Sequence, residues 1–293
     1  MQLATILTLS YNSPDIYAAI KSVLNQDYGR IQYIIVDDSS QNFSEEEIRK
    51  FIEAHGNIEE LIIHQNEINK GTVRAANTGL FYAKGKYVFN LSGDDAFVDS
   101  QVISDWMEAF EITGDQVMTA YRKTSKGIFP TPKEVAQIKN QKNLFESLAS
   151  ENFIFGCCTA YKLTCLKEHN LYNERYRLIE DHPAILQLLR ANVKIGFFDR
   201  TVVLHRDGGS SSVLQYNSDY EKDADAIYSY EVAPYTKNPR HAKKNHLKWK
   251  RRQALARNLQ KSSIFKKVYL RLLFHGRYPV STLKSLLSRF RKV

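Results

Sequence analysis

The chain has 293 residues, 43% of them hydrophobic and 25% charged, which suits one large domain with an appendage or two small ones. Its net charge of +9 averages two unlike parts. Glu231 is the last acidic residue: residues 1–231 hold all 32 acidic and 23 of the 41 basic side chains, a net −9, while residues 232–293 hold 18 basic and no acidic ones.

No apolar run exceeds five residues (Ile16 to Ile20), so the sequence offers no helix able to span a bilayer. Met1 to Thr5 has neither the basic start nor the cleavage site of a secretory signal. The three cysteines, Cys157, Cys158 and Cys165, make no disulfide framework, which fits a reducing cytoplasm. They also lack C-x-x-C spacing, so no metal role is expected of them.

In chain order, Leu3 to Leu9 reads as a strand, and Ser13-Pro14 opens a helix with serine as cap and proline in its first position. Ile31 to Val36 is a nearly continuous apolar run of the kind buried on both faces of a sheet. Ser44-Glu45-Glu46-Glu47 is a capping box ahead of a helix bearing Ile48, Phe51 and Ile52. Leu61 to Ile63 predicts a third strand, Val73 to Ala83 a helix, Tyr87 to Leu91 a fourth strand and Gln101 to Ile112 an amphipathic helix. This βαβα alternation predicts an α/β fold with a mostly parallel central sheet flanked by helices. Beyond it, Phe153 to Phe155 and Val193 to Leu204 read as strands, Pro183 to Ala191 as a helix, and Gly208 to Ser212 as a flexible loop. The body ends near Val232 to Lys237.

Ligands of open parallel sheets bind at the carboxyl ends of strands. Ser10-Tyr11-Asn12 follows the first strand, Asp37-Asp38-Ser39-Ser40 the second and Ser92-Gly93-Asp94-Asp95 the fourth. Acidic residues commonly favour turns, but two Asp-Asp pairs at equivalent ends must repel unless a cation or hydrogen-bond donors compensate them. They point to a divalent-cation and nucleotide site. Neither a G-x-G-x-x-G nor a G-x-x-x-x-G-K-[ST] loop is present, so metal and scattered side chains must hold any phosphates. An acidic body binding a diphosphate calls for a bridging Mg2+ or Mn2+.

These residues resemble the family 2 glycosyltransferases of GT-A fold, of the bacterial surface-polysaccharide type. Ile6 to Asn12 (ILTLSYN) and Ile34-Ile35-Val36-Asp37-Asp38-Ser39-Ser40 look like the family's opening. Asn69-Lys70-Gly71, Asn77-x-Gly79 and Ala83-x-Gly85-x-Tyr87 look like the segment that follows, and Leu91 to Asp95 sits where the D-x-D-type metal motif belongs. Glu180-Asp181 looks like the late acidic pair, and Arg206-x-Gly208-Gly209-x-Ser211 like the loop after it. The resemblance covers about residues 1–215.

The resemblance implies that Tyr11 and Asp38 contact the base of a nucleotide-sugar, with Asp37 nearby. It implies that Asp94 faces the ribose, and that Asp95 coordinates the Mn2+ or Mg2+ bridging the diphosphate. Asp181 is implied as the catalytic base, with Arg206 steadying the diphosphate or the closing loop. Inversion by one in-line displacement needs one base on the acceptor side and charge neutralisation on the leaving side. The chain departs from the family at two points. Many relatives carry a carboxylate at the position of Ser92, which makes His205 a candidate substitute ligand, although a histidine at a strand end is more often no ligand. The arginine often found before the middle asparagine is Ala76 here, with Arg74 two residues earlier.

Three tail segments read as helices: Lys243 to Asn258 around Leu247, Trp249 and Leu255; Lys261 to His275; and the stretch holding Leu283, Leu286, Leu287 and Phe290. Basic helices with apolar faces suit a membrane surface; packing on the acidic body or on a second subunit is the plainer alternative, and nucleic acid the least favoured. Residues 1–232 are thus expected to form a GT-A catalytic domain and residues 233–293 a basic amphipathic tail. The expected activity is inverting, metal-dependent transfer from a nucleotide-diphosphate donor, a UDP-sugar foremost. The expected acceptor is a lipid-pyrophosphate-linked saccharide in O-antigen, capsule or exopolysaccharide assembly. The expected place is the inner face of the cell membrane, held peripherally on anionic lipid, with no nucleic-acid partner. Two rivals are a nucleotidyltransferase, which would show a basic glycine-rich loop that Leu9 to Pro14 lacks, and a non-catalytic scaffold that has lost the metal, for which Ser92 is the only hint.

Overall fold

The computed structural model describes residues 1–55, 58–206 and 216–260. The first half runs β1 (Ala4–Ser10), α1 (Ile16–Leu24), β2 (Ile31–Asp37), α2 (Glu45–His55), β3 (Glu60–Gln65), α3 (Thr72–Tyr82), β4 (Tyr87–Ser92), β5 (Ala96–Phe97) and α4 (Val102–Thr113). Next come β6 (Val117–Thr124), β7 (Gly127–Phe129), α5 (Pro132–Lys139), α6 (Gln141–Ser150), a 3₁₀ turn at Gly156–Cys158, β8 (Thr159–Lys162) and α7 (Leu163–Glu168). The chain continues through α8 (Asp181–Arg190), β9 (Ile195–Leu204), α9 (Ser218–Ile227), a π-helical turn at Tyr228–Val232 and α10 (Pro239–Gln260). The Gly208 to Ser212 loop, the two tail segments after Gln260 and the side chain of Leu255 lie outside what is described.

The strands form one sheet in the order β3-β2-β1-β4-β8-β6-β9-β5, with β7 hairpinned onto β6. The half made of β3, β2, β1 and β4 is parallel, as the alternation predicts. Past β4 the sheet is mixed: β8 runs antiparallel to both β4 and β6, while β9 runs parallel to β6. Successive residues of β1 and β2 feed opposite faces. Ile6, Tyr33 and Ile35 pack with Ile20 of α1, Ile52 of α2 and Trp106 of α4, whereas Leu7, Ile34 and Val36 pack with Leu80 of α3 and Ile185 of α8. Two cores therefore clamp the sheet, which leaves its strand ends as the polar edge.

Two local expectations are corrected. The first helix begins at Ile16, because its opening hydrogen bonds run from the Ala18 and Ala19 amides to the Asp15 carbonyl; the Ser13 hydroxyl is buried without a partner and caps nothing. Phe153 to Phe155 is not a strand. The Phe155 carbonyl instead accepts the Cys158 amide at 3.1 Å and the Thr159 hydroxyl at 2.8 Å, closing a tight turn, and the strand starts at Thr159.

The glycine motifs of the middle segment turn out to be architectural. A Cβ on Gly79 would collide with Leu7, and one on Gly85 with the Thr5 backbone, so both glycines let α3 and its exit lie tight on β1. Asn77 clamps Tyr172 on both sides, donating to its carbonyl at 2.8 Å and accepting from its amide at 3.1 Å.

The first tail helix, α10, is seated on the body. Ala242 and Ala256 are buried, and the His246 ring stacks on Tyr228 at 4.3 Å. His246 and Lys250 pair with Asp225 of α9 at 2.9 and 2.8 Å, and Arg257 pairs with Glu221. The opposite face, with Arg240, Lys244, Lys248, Arg251 and Arg252, is exposed.

Candidate active site

Strand register decides what meets at the carboxyl edge. In β1, Ser10 lies opposite Asp37 of β2 and Leu9 opposite Ser92 of β4, so the two Asp-Asp pairs emerge on either side of Ser10-Tyr11. Tyr11 is 56% exposed at the head of this cleft, with its ring available to a flat ligand.

On the β2 side, Asp37 is wholly buried and accepts from the Ser40 amide and hydroxyl at 2.8 and 2.5 Å and from Gln65 at 3.1 Å. It fixes the Asp-Asp-Ser-Ser turn. Asp38 is 4% exposed and reaches across to the start of α3, accepting from Asn66 at 2.9 Å and from the Lys70 and Gly71 amides at 2.8 and 2.7 Å. Gly71 holds the left-handed φ of 87° that aims both amides at this carboxylate. The Asn69-Lys70-Gly71 motif is thus the partner of Asp38.

On the β4 side, Asp94 is half-buried and accepts the Ser92 hydroxyl at 3.0 Å, so the residue that replaces a carboxylate steadies its neighbour. Asp95 is 2% exposed and pairs with His205 at 2.9 Å, while accepting the Arg206 amide at 3.2 Å. The His205 pKa is pushed up to about 10 by its hydrogen bond to Asp95 and next by that to Cys157. Arg206 pairs with Asp15 just ahead of α1, and Asp94 and Asp95 add to its positive-charge stabilisation.

Among the described residues, the ligand atoms of Asp95, Cys157 and His205 lie within 4.8 Å of one another. A carboxylate, an imidazole and a thiol are a donor set that fits a divalent cation. Cys157 stands here although spacing assigned the cysteines no metal role. The three residues come from the β4 end, the 3₁₀ turn and the β9 end, so no local motif announces them.

The same 3₁₀ turn joins this cluster to the other acidic pair. The Gly156 amide donates to Asp181 at 2.9 Å, and the His182 amide donates to its second oxygen at 2.6 Å. The backbone partner of Asp181 and the Cys157 side chain beside Asp95 therefore come from consecutive residues. Burial raises the Asp181 pKa, against the opposing pull of His182, of the two amides and of Arg122. Glu180 is pushed up to about 8 by burial and by the Asp181 charge next to it.

Two residues here escaped sequence reasoning. Arg122 of β6 lies 3.5 Å over the Phe155 ring, 4.0 Å from Cys157 Sγ, and lends its charge to Asp181. Asp223 of α9 is buried and accepts from the Arg177, Leu178 and Ile179 amides at 2.6 to 3.1 Å, pinning the strand of chain that delivers Glu180-Asp181. An amphipathic pattern with one buried acid was the only available signal for Asp223.

A half-parallel, half-mixed sheet with acidic pairs flanking its first strand defines the GT-A type of nucleotide-sugar transferase fold. The mannosyltransferase PcManGT from Pyrobaculum calidifontis, in complex with GDP-Man and Mn2+, superposes with a TM-score of 0.63 at 15% identity, covering 99% of this chain and 80% of that one. S. aureus TarS 1-349 in complex with UDP superposes with a TM-score of 0.61 at 17% identity, covering 90% and 77%. The chain belongs to glycosyl transferase family 2, whose model matches residues 5–169, more than half of it. It is 32% identical over 147 residues to the Escherichia coli UDP-Glc:alpha-D-GlcNAc-diphosphoundecaprenol beta-1,3-glucosyltransferase WfaP, a match covering 46% of this chain and about half, 54%, of that one. To the glycosyltransferase EpsJ of Bacillus subtilis (strain 168) it is 25% identical over 244 residues, covering 80% and 70%.

Proposed function

We propose that the protein is an inverting glycosyltransferase that moves a sugar from a UDP-sugar to a lipid-pyrophosphate-linked saccharide in bacterial surface-polysaccharide assembly. The observation that carries this reading is the 3₁₀ turn, which sets Asp181 beside the acidic cleft flanking Tyr11. The similarity to WfaP and the likeness in fold to UDP-bound TarS support the donor and acceptor classes.

In this reading Tyr11 receives the base, the turn held by Asp37 and Asp38 shapes the nucleoside pocket, and Asp94 faces the ribose. Arg206 trades Asp15 for a phosphate oxygen. A divalent cation such as Mn2+, held by Asp95 and His205, would supply neutralising charge for the departing diphosphate. Asp181 takes the acceptor hydroxyl proton, and its burial-raised pKa makes it a better base than an exposed aspartate. Two backbone amides fix its direction, so a single in-line displacement needs no covalent nucleophile. The outward cations of α10 suit an anionic leaflet, where a lipid-linked acceptor resides. The place of action proposed is the inner membrane face.

A panel of nucleotide-sugars with Mn2+, read out as nucleoside diphosphate release in the presence of lipid-linked acceptor, tests the proposal. Asp181→Asn should lower transfer by about 10²- to 10⁴-fold while calorimetric donor binding stays as in the wild type. Wild-type turnover by this variant would remove Asp181 from its role.

A further inference from the structure

The cluster at Asp95 holds one ligand that a phosphate-bridging Mg2+ would not choose. Mg2+ demands an octahedron of oxygens and usually keeps several waters, whereas thiolate and imidazole favour later and softer divalent ions. Here one carboxylate, one imidazole and one thiol converge from three elements, all ligand atoms within 4.8 Å. Four-coordinate zinc has bonds of about 2.0 to 2.3 Å, and three protein ligands with one exchangeable position is its usual catalytic arrangement.

The surroundings of Cys157 suit a ligand more than a packing residue. It is half-buried, unlike Cys158 and Cys165, which are fully buried. Its sulfur is a hydrogen-bond partner of His205 and lies 4.0 Å from the Arg122 guanidinium. Gly156 before it and the β8 strand after it fix the turn, so the sulfur is presented from ordered backbone.

We infer that Asp95, Cys157 and His205 form a three-ligand site in which the Cys157 thiolate selects a sulfur-binding divalent ion such as Zn2+ or Co2+ over Mg2+. Cys157 ligates as the thiolate and its proton passes to solvent, as does the proton that His205 gives up. The donor's diphosphate would use the remaining position, and in that use the inference rests on the glycosyltransferase reading. The binding itself does not need a donor, so the two stand or fall separately.

The test is titration of the whole chain with Co2+ alone, followed by absorption. The wild type should develop the near-ultraviolet sulfur-to-cobalt charge-transfer band, with or without added UDP-sugar. Cys157→Ser should lose the band, whereas Cys158→Ser and Cys165→Ser should keep it. Calorimetry should show Zn2+ affinity falling by at least about 10-fold in Cys157→Ser, with Mg2+ affinity little changed. A wild type without the band, a band that survives in Cys157→Ser, or equal wild-type affinities for Mg2+ and Zn2+ would overturn the inference. The wild-type spectrum and the Cys158→Ser control decide the matter even should Cys157→Ser fail to fold. A protein that binds Co2+ in this way yet transfers no sugar would sink the proposed function and leave the metal site standing.

Discussion

Glu180 and Asp181 are adjacent carboxylates with different tasks. Asp181 is aimed by the Gly156 and His182 amides, while Glu180 is the group whose charge the surroundings suppress, with its pKa raised from 4.5 to about 8. A folded pKa above the unfolded one means that the folded state keeps a proton the unfolded chain has lost. That contribution to stability is complete below about pH 4.5 and is lost as pH rises through about 8. Glu180→Gln removes the dependence, so its thermal midpoint should fall less than that of the wild type between pH 5 and 8. Identical slopes in the two proteins would move the effect to another group. His205 contributes with the same sign from about 6.5 to about 10, but equally in both proteins, so the comparison is of their slopes. At this scale the sequence was most readable where an acid ends a strand or opens a helix, as with Asp95 and Asp181. It was least readable for Cys157 and Arg122, whose meaning depends on elements separated by dozens of residues.

Among the elements, the parallel half of the sheet was legible because its central strands β1, β2 and β4 are buried along most of their length and each helix has a 3.6-residue stripe. The segment from β6 to β8 was not, since Val117–Thr124 turns polar at its end and β8 is only four residues long. The motifs of the middle segment do two kinds of work: Asn77 and Gly79 seat α3, whereas Asn69-Lys70-Gly71 completes Asp38. One element that sequence reading passed over is α9. Through Asp223 it gathers three backbone amides of the segment entering α8. Asp223→Ala leaves buried donors unpaired and should cost about 2 to 4 kcal/mol in urea denaturation. Transfer should fall beyond that loss while donor affinity holds, because the proposed base loses its alignment and the proposed nucleotide pocket does not. Unchanged stability and turnover would show that the segment keeps its path without Asp223.

For the whole molecule, the division of charge at Glu231 corresponds to a physical arrangement. Glu231 itself is buried against Arg190 at 2.5 Å and accepts the Tyr176 hydroxyl at 2.8 Å. Beyond it, α10 spends its inner cations on Asp225 and Glu221 and turns the others outward. In the proposed reading, packing and membrane attraction, alternatives on sequence grounds, fall to two faces of one helix. Each cation near an anionic leaflet contributes about 1 kcal/mol, so Lys244→Gln, Lys248→Gln and Arg251→Gln together should weaken binding to phosphatidylglycerol vesicles by about 100-fold. Equal sedimentation of the triple variant and the wild type would take the outer face of α10 out of the account. The position of α9 carries a further meaning. Its Asp223 steadies the approach to Asp181, and its Glu221 and Asp225 are anchored by α10, so it works as a strut braced from behind. A fragment stopped at residue 232 would keep every recognisable family motif and yet leave that strut without its backing. In the proposed reading the smallest self-sufficient catalyst in this chain therefore reaches at least to Arg257, and the basic extension is scaffolding whatever else it does.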